Sequence, residues 1–335
     1  MNFVLFFAVF GIPQTDSTLE KIEREIAAVL EKTRPSVVQI AARLGDDESQ
    51  SRLSSGFVVS SDGHILTDVG GIQAARAIFV TLHDGRRFVA SLKAVDRSTA
   101  VALLKVNSEG LQAVEFAEPA SIRQGAIAVL VSNPAGLNQS CSVGFVTGLD
   151  RTIVVAGILY PDMLQTSAAV QSGDGGGLLA NARGAVVGMI HSRFVPDVVE
   201  PDRAGFLRAV PRTGAEFLPA GGPAVGFATP ATTLRFVTDR LIKSGRVQRG
   251  WVGLGLRRTA QATQVVEIAQ NGPAWKAGIR PGDAVIEFDG QAATDLPALR
   301  RRVIEMSASK TVRVRVQRGT GVTDFDVTIA WEPEP

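Results

Sequence analysis

The chain has 335 residues, of which 45% are hydrophobic and 20% charged, and a formal net charge of +2. That length suits two or three globular domains with full cores, and a near-neutral charge without a Lys/Arg run argues against a dedicated nucleic-acid track. A single cysteine, Cys141, excludes an internal disulfide; with only three histidines and no Cys/His grouping at ligand spacing, neither metal nor cofactor is expected. Cys141 itself is expected to be a small buried residue beside a strand.

Asn2–Phe10 are almost wholly apolar, too few to span a bilayer, and lack a basic leader or a small-residue cleavage signature. Two readings stay open: the tail of a signal or membrane tether, or a segment packed on a neighbouring subunit. Ser17-Thr18-Leu19-Glu20 forms a capping box, and Leu19, Ile22, Ile26, Val29 and Leu30 recur at helical spacing until Pro35 ends the helix. The period then changes. Short apolar runs (GFVVS, HILTD, AIFVTL, VALLKV, AIAVLVS, AVVGMI) alternate with turn signals at 61–63, 83–85, 133–136 and 181–184, the pattern of an antiparallel barrel or sandwich. Residues 196–226, rich in Pro, Gly, Ala and Arg, read as an inserted loop. Leu234, Val237, Leu241 and Ile242 then give a helical stripe that Gly245 is placed to cap.

Three segments carry the chemistry. QTSAAVQSGDGGGLLANARGAVVGMI (165–190) resembles the nucleophile loop of the HtrA/Deg family of trypsin-like serine proteases, whose core reads Gly-Asn-Ser-Gly-Gly. The serine position falls on Gly175. SSGFVVSSDGHILTDVGGI (54–72) resembles the segment that supplies the general base, and the histidine position falls on Gly70. ASLKAVDRSTAVALLKV (90–106) resembles the segment that supplies the orienting carboxylate, and that position falls on Ala100. A hydroxyl nucleophile needs an imidazole to take its proton and a carboxylate to hold that imidazole. All three positions are empty of such groups, so no catalytic residue is expected. The residues that could rebuild a triad nearby (His64, His83, Ser172, Asp68 and Asp96) are read as surface loop residues; His191 is given no role.

The resemblance implies a mainly β architecture: a chymotrypsin/trypsin-like double six-stranded β-barrel followed by a PDZ domain. It divides the chain into an N-terminal segment and helix (1–34), the barrels (35–226), a linker helix (227–249) and the PDZ domain (250–335). GWVGL at 250–254 and the block NGPAWKAGIRPGD at 271–283 carry the PDZ likeness. The resemblance places oxyanion-hole amides at Gly173 and Gly175; four glycines among five residues suggest a collapsed or mobile loop there. It places a peptide carboxylate on the amides of Val252, Gly253 and Leu254, with Leu299 and Val303 on the opposite wall, on a helix beginning near Asp295. The implied partners are exposed or C-terminal peptides, bound by strand addition; the implied assembly is a homotrimer in the bacterial periplasm or cell envelope. The expected function is therefore that of an inactive protease homologue serving as a peptide-binding scaffold. An active endopeptidase with a non-standard arrangement and a structural or assembly factor are the alternatives.

Overall fold

The structure, a computed structural model, describes residues 17–45, 50–134, 139–155, 158–191, 199–201, 207–209, 225–259 and 262–333. The chain forms two compact units, Met1–Arg235 and Phe236–Pro335. Helix α1 (Thr18–Thr33) opens on the expected capping box: Ser17 Oγ accepts from the Glu20 amide at 3.2 Å and a Glu20 carboxylate oxygen accepts from the Ser17 amide at 2.6 Å. The apolar stripe is only half used. Val29 is buried, whereas Leu19 and Ile22 are exposed.

Strands β1 (Val37–Arg43), β2 (Ser51–Val58), β3 (His64–Asp68), β4 (Ala77–Thr81), β5 (Arg87–Asp96) and β6 (Val101–Lys105) close into a barrel in the order β1-β2-β3-β6-β5-β4. Strand alternation directs Val38, Ile40 and Ala42 of β1 into its core, beside Ile65 and Leu104. A single-turn helix α2 (Val69–Ile72) follows β3.

The second barrel uses β7 (Ile127–Ser132), β8 (Ser140–Val155), β9 (Ile158–Thr166), β10 (Leu178–Ala180) and β11 (Val186–Ile190). A small hairpin, β12 (Val199–Pro201) and β13 (Leu207–Ala209), joins the edge of β8, and β14 (Gly226–Pro230) completes the set. The run β8-β7-β10-β11-β14-β9 closes on itself through the β8–β9 pairing, which makes six strands in the ring. The expected double barrel is thus present. Apart from β12, β13, Val225 and Gly226, the expected insertion at 196–226 lies outside the described residues, as does the apolar N-terminus. Cys141 overturns its expectation. It sits in β8 but is exposed, because its strand face, shared with Val143 and Phe145, turns outward from the barrel core.

Helix α3 (Ala231–Ser244) buries Leu234, Val237 and Leu241 and leaves Ile242 exposed. Gly245, at φ 69°, donates its amide to the Leu241 carbonyl at 3.1 Å and caps the helix in the left-handed conformation that glycine adopts without strain.

The second unit contains β15 (Gly250–Trp251), β16 (Leu254–Arg258), β17 (Thr263–Ile268), α4 (Pro273–Ala277), β18 (Ala284–Phe288) and β19 (Gln291–Ala292). Then come α5 (Leu296–Glu305), β20 (Thr311–Arg318), β21 (Gly321–Thr328) and β22 (Ala330–Trp331). The main sheet runs β16-β17-β18-β20-β21, so β16 is an edge strand. Helix α5 starts where expected, with the Asp295 carboxylate accepting from the Ala298 amide at 3.0 Å. Asp283 of the Pro-Gly-Asp turn is buried but well partnered. Arg318 approaches it through Nε at 2.7 Å and through a terminal nitrogen at 2.8 Å, and the Arg280 amide donates to it at 2.9 Å. Burial alone would raise this carboxyl's pKa; the Arg318 and Arg280 hydrogen bonds outweigh it and hold the pKa below the ordinary value.

Candidate functional site

The three segments that resemble triad-bearing loops meet where the two barrels join. The Val69 amide, next to Gly70, donates to the Ala100 carbonyl at 2.9 Å, and the Ser55 amide donates to the Gly175 carbonyl at 2.9 Å. Gly176, at φ 84°, lies so close to β2 and β3 that a Cβ there would meet the Ser55 carbonyl oxygen and come within 2.7 Å of Thr67 Oγ1. Glycine is required at that point by both conformation and space.

None of the three positions offers a reacting group. Gly70 lies in α2, and its carbonyl accepts from the Arg52 guanidinium at 2.9 Å. Ala100 is buried, in a cluster with Ile153, Tyr160, Met163 and Phe227, so the methyl group has apolar neighbours where a carboxylate would need donors. Gly175 is buried. The glycine-rich loop is braced rather than loose. Ser55 Oγ donates to the Gly173 carbonyl at 2.8 Å and itself accepts from the Asn133 amide at 2.9 Å. Ser132 Oγ and the Gln171 amide donate to the buried Asp174 carboxylate at 2.7 and 2.6 Å, and the Gly176 amide donates to the Ile190 carbonyl at 2.7 Å. The order that four glycines cannot supply comes from serines and an aspartate around them. The amides of Gly173 and Gly175 have no acceptor among the described residues.

Asp68 and Asp96 correct the reading as surface loop residues, and His191, given no role in the sequence, joins them. Asp68 and His191 have no exposed side-chain area, and Asp96 is 6% exposed. Asp68 stands at the N-cap position of α2, yet its carboxylate makes no cap hydrogen bond. It accepts instead from His191 Nδ1 at 2.9 Å, while His191 Nε2 lies 2.6 Å from Thr229 Oγ1. Thr229 Oγ1 is also 3.3 Å from the Thr99 carbonyl. Either charge state of the imidazole is satisfied. A neutral ring accepts the Thr229 proton; a charged ring donates to Thr229, whose hydroxyl then turns to Thr99. Residues at the end of β3 and in the β5–β6 turn are thereby joined to the end of β11 and to β14. The order carboxylate–imidazole–hydroxyl is that of a protease relay, but Thr229 is 1% exposed and no substrate carbonyl can reach its oxygen. The signal in the sequence was a histidine closing the apolar run Val186–Ile190, which reads as inward-facing.

The remaining candidates are turn residues except His64, which opens β3 instead of lying in a loop. Ser60, Asp62 and His64 are close together, but Ser60 Oγ at 2.9 Å and Asp62 Oδ1 at 3.0 Å both contact Nδ1 of His64. A relay needs one partner on each ring nitrogen, so this is the local bonding of a tight turn. The Ser60 hydrogen bond first, and that from His64 second, lower the Asp62 pKa to about 2. His83 and Ser172 are exposed. Among the described residues, no group of His, Cys, Asp and Glu could hold a metal.

In the second unit, Val252 is buried, Gly253 adopts φ 75° and Leu254 is half-buried at the start of β16. The Val252 and Gly253 carbonyls are occupied, accepting from the Ala274 amide at 3.0 Å and the Ala269 amide at 2.9 Å. Leu299 is 1% exposed and belongs to the domain core; Val303, one turn further along α5, is half-buried beside it.

Residues 54–189 match the trypsin-like peptidase domain family, and residues 250–329 match the PDZ domain family. A protein of Halomonas elongata named probable periplasmic serine endoprotease DegP-like is 28% identical over 302 residues, covering 87% of this chain and 59% of its own length. A protein of the same name from Bartonella henselae is 31% identical over 292 residues, covering 84% of this chain and 53% of its own length. The chain thus spans between about half and three-fifths of these curated relatives. Among solved structures, "HtrA-type protease AlgW with tripeptide" is similar with a TM-score of 0.74 at 24% identity, over 92% of this chain and 98% of that one. The serine endoprotease from Yersinia pestis gives 0.65 at 24% identity, with the same coverage of both chains. At that identity the likeness is one of fold.

Proposed function

We infer that this chain, an HtrA/DegP-type protein in which a trypsin-like domain precedes a PDZ domain, is a peptide-binding scaffold that has lost the protease reaction. The observation that carries the reading is the chemistry of the three triad positions. Gly70 and Gly175 have no side chain, and Ala100 is sealed among Ile153, Tyr160, Met163 and Phe227. Without a hydroxyl at Gly175 there is no acyl-enzyme to form, and without a base at Gly70 there is nothing to activate a replacement. The imidazole–carboxylate pair nearby, Asp68 and His191, is enclosed and already bonded at both ring nitrogens.

Binding falls to the second unit. An edge strand, β16, offers backbone groups for an added peptide strand, and Val252, Gly253 and Leu254 lie at the end where a terminal carboxylate would be held. Val303 supplies apolar surface on α5 for the last side chain, which favours an apolar terminus. Exposed Leu19 and Ile22 on α1, with Ile127, Val143 and Phe145 on the second barrel, are apolar surface of the kind that subunit contacts cover, in keeping with a homotrimer. The periplasmic naming of the relatives supports an envelope location. Among the described residues no helix is long and apolar enough to cross a membrane, and the apolar N-terminus lies outside them.

The relatives' names support a second reading, an active endopeptidase, and one experiment separates the two. The purified chain is incubated with unfolded casein beside a variant carrying Gly70→His, Ala100→Asp and Gly175→Ser. No cleavage by the natural chain is expected. Cleavage that survives repurification and stops with a serine-directed inhibitor overturns the scaffold reading.

A further inference from the structure

We propose that the groove beside β16 selects peptides that carry acidic residues three and four positions before an apolar C-terminal residue. The inference rests on the peptide-binding reading above and adds the chemistry of the peptide to it. Leu254, Leu256 and Arg258 share one face of β16, because alternate residues of a strand point the same way. Leu254 and Leu256 lie against the domain core, and Arg258, at the end of the same row, is exposed. Arg257, also exposed, is on the other face. Neither arginine has a carboxylate partner among the described residues. Glu267 on the neighbouring strand is paired with Gly255, on the same face as Arg257, but forms no ion pair with either arginine among the described residues.

A peptide added to this edge antiparallel, with its terminal residue opposite Leu254, advances one residue for each residue of β16. The residue opposite Arg257 is then three before the terminus, and the residue opposite Arg258 is four before it, roughly 13 Å away. Directly opposed unlike charges on neighbouring strands attract, and like charges repel. Arg258 at the far end of the Leu254–Leu256 row and Arg257 beside it on the opposite face, both exposed, therefore favour carboxylates at those two positions and disfavour lysine or arginine there.

The test is fluorescence anisotropy with the full chain and labelled decapeptides that share one apolar C-terminal residue. One peptide has aspartate at the third and fourth positions before the terminus, a second has alanine there, and a third is the acidic peptide with its terminus amidated. The acidic peptide is expected to bind about three- to tenfold more tightly than the alanine peptide, with a gap that narrows as salt is raised. In the Arg257→Gln/Arg258→Gln variant the gap closes. Equal binding of the first two peptides to the natural chain overturns the acidic preference and leaves the peptide-binding reading standing. Equal binding of the amidated peptide, or binding of none, overturns that underlying reading as well.

Discussion

Replacing Asp68 with alanine tests whether the buried carboxylate–imidazole pair holds the two barrels together. Both side chains have no exposed area, and their contact is 2.9 Å. Removing one partner of a buried pair typically costs about 3–5 kcal/mol, because the group left behind has neither its partner nor water. The substitution also takes from the His191 ring its 2.9 Å acceptor, while Thr229 stays on the other nitrogen. With a urea dependence of about 2–3 kcal/mol per molar, the midpoint should fall by roughly 1–2 M. The assay is urea unfolding read by far-UV circular dichroism. An internal control is available, because all three tryptophans (Trp251, Trp275 and Trp331) lie in the C-terminal unit and report on that unit by fluorescence. The tryptophan transition is expected to stay in place while the barrel transition moves. Replacing both partners, Asp68→Leu with His191→Leu, should recover part of the loss, as both members of the buried pair are then removed together. A cost below about 1 kcal/mol for Asp68→Ala, or a double variant as poor as the sum of the singles, refutes the reasoning.

Ala100→Asp alone should lower barrel stability by several kcal/mol, or be tolerated only with its carboxyl neutral, because desolvation disfavours the charged form; thermal unfolding against pH distinguishes a buried acid from an exposed one. Arg318→Met should destabilise the C-terminal unit by about 1–3 kcal/mol by leaving Asp283 under-bonded, as tryptophan fluorescence in urea would report. For the natural chain the sign follows from Asp283's lowered pKa. Its contribution is present above the unfolded carboxylate value and is lost as pH falls through the folded one. In the dilute, monomeric chain Cys141 should react fully with a thiol reagent without denaturant, and a monomer thiol that becomes accessible only in denaturant would contradict the exposed position on β8.

The β architecture was legible because its signals are local. The period-two runs, the Asp-Gly turns and the Ser17–Glu20 capping box each act within a few residues, and each element formed where its residues indicated. The PDZ domain was legible for the same reason, since Gly278 (φ 103°) and Gly282 (φ 94°) stand where the Ala-Gly and Pro-Gly turns of its motif need a left-handed backbone. The Asp68–His191–Thr229 chain was not legible. Its members are separated by 123 and 38 residues, and nothing local to Asp68 distinguishes a cap residue from one that turns inward. Cys141 failed on a different point. Alternation gives the two faces of β8 but not which of them the barrel encloses. The bracing of the glycine-rich loop, expected to be collapsed or mobile, was not legible because composition counts the loop's own entropy and omits the two outside side chains, Ser55 and Ser132, and the Asp174 carboxylate within it that hold it.

The apolar surroundings of Ala100 bear on how such a chain can change over generations. A triad works as a unit, so returning one member at a time restores almost no turnover. Each single step back therefore brings no benefit, and the step at Ala100 carries a folding cost of its own. On the scaffold reading proposed above, the path back to hydrolysis crosses a valley that three coincident changes would have to clear. On that reading selection acts on what the surfaces of the chain bind, and the enclosed apolar side chains around Ala100, rather than any exposed group, set the cost of a return to cutting.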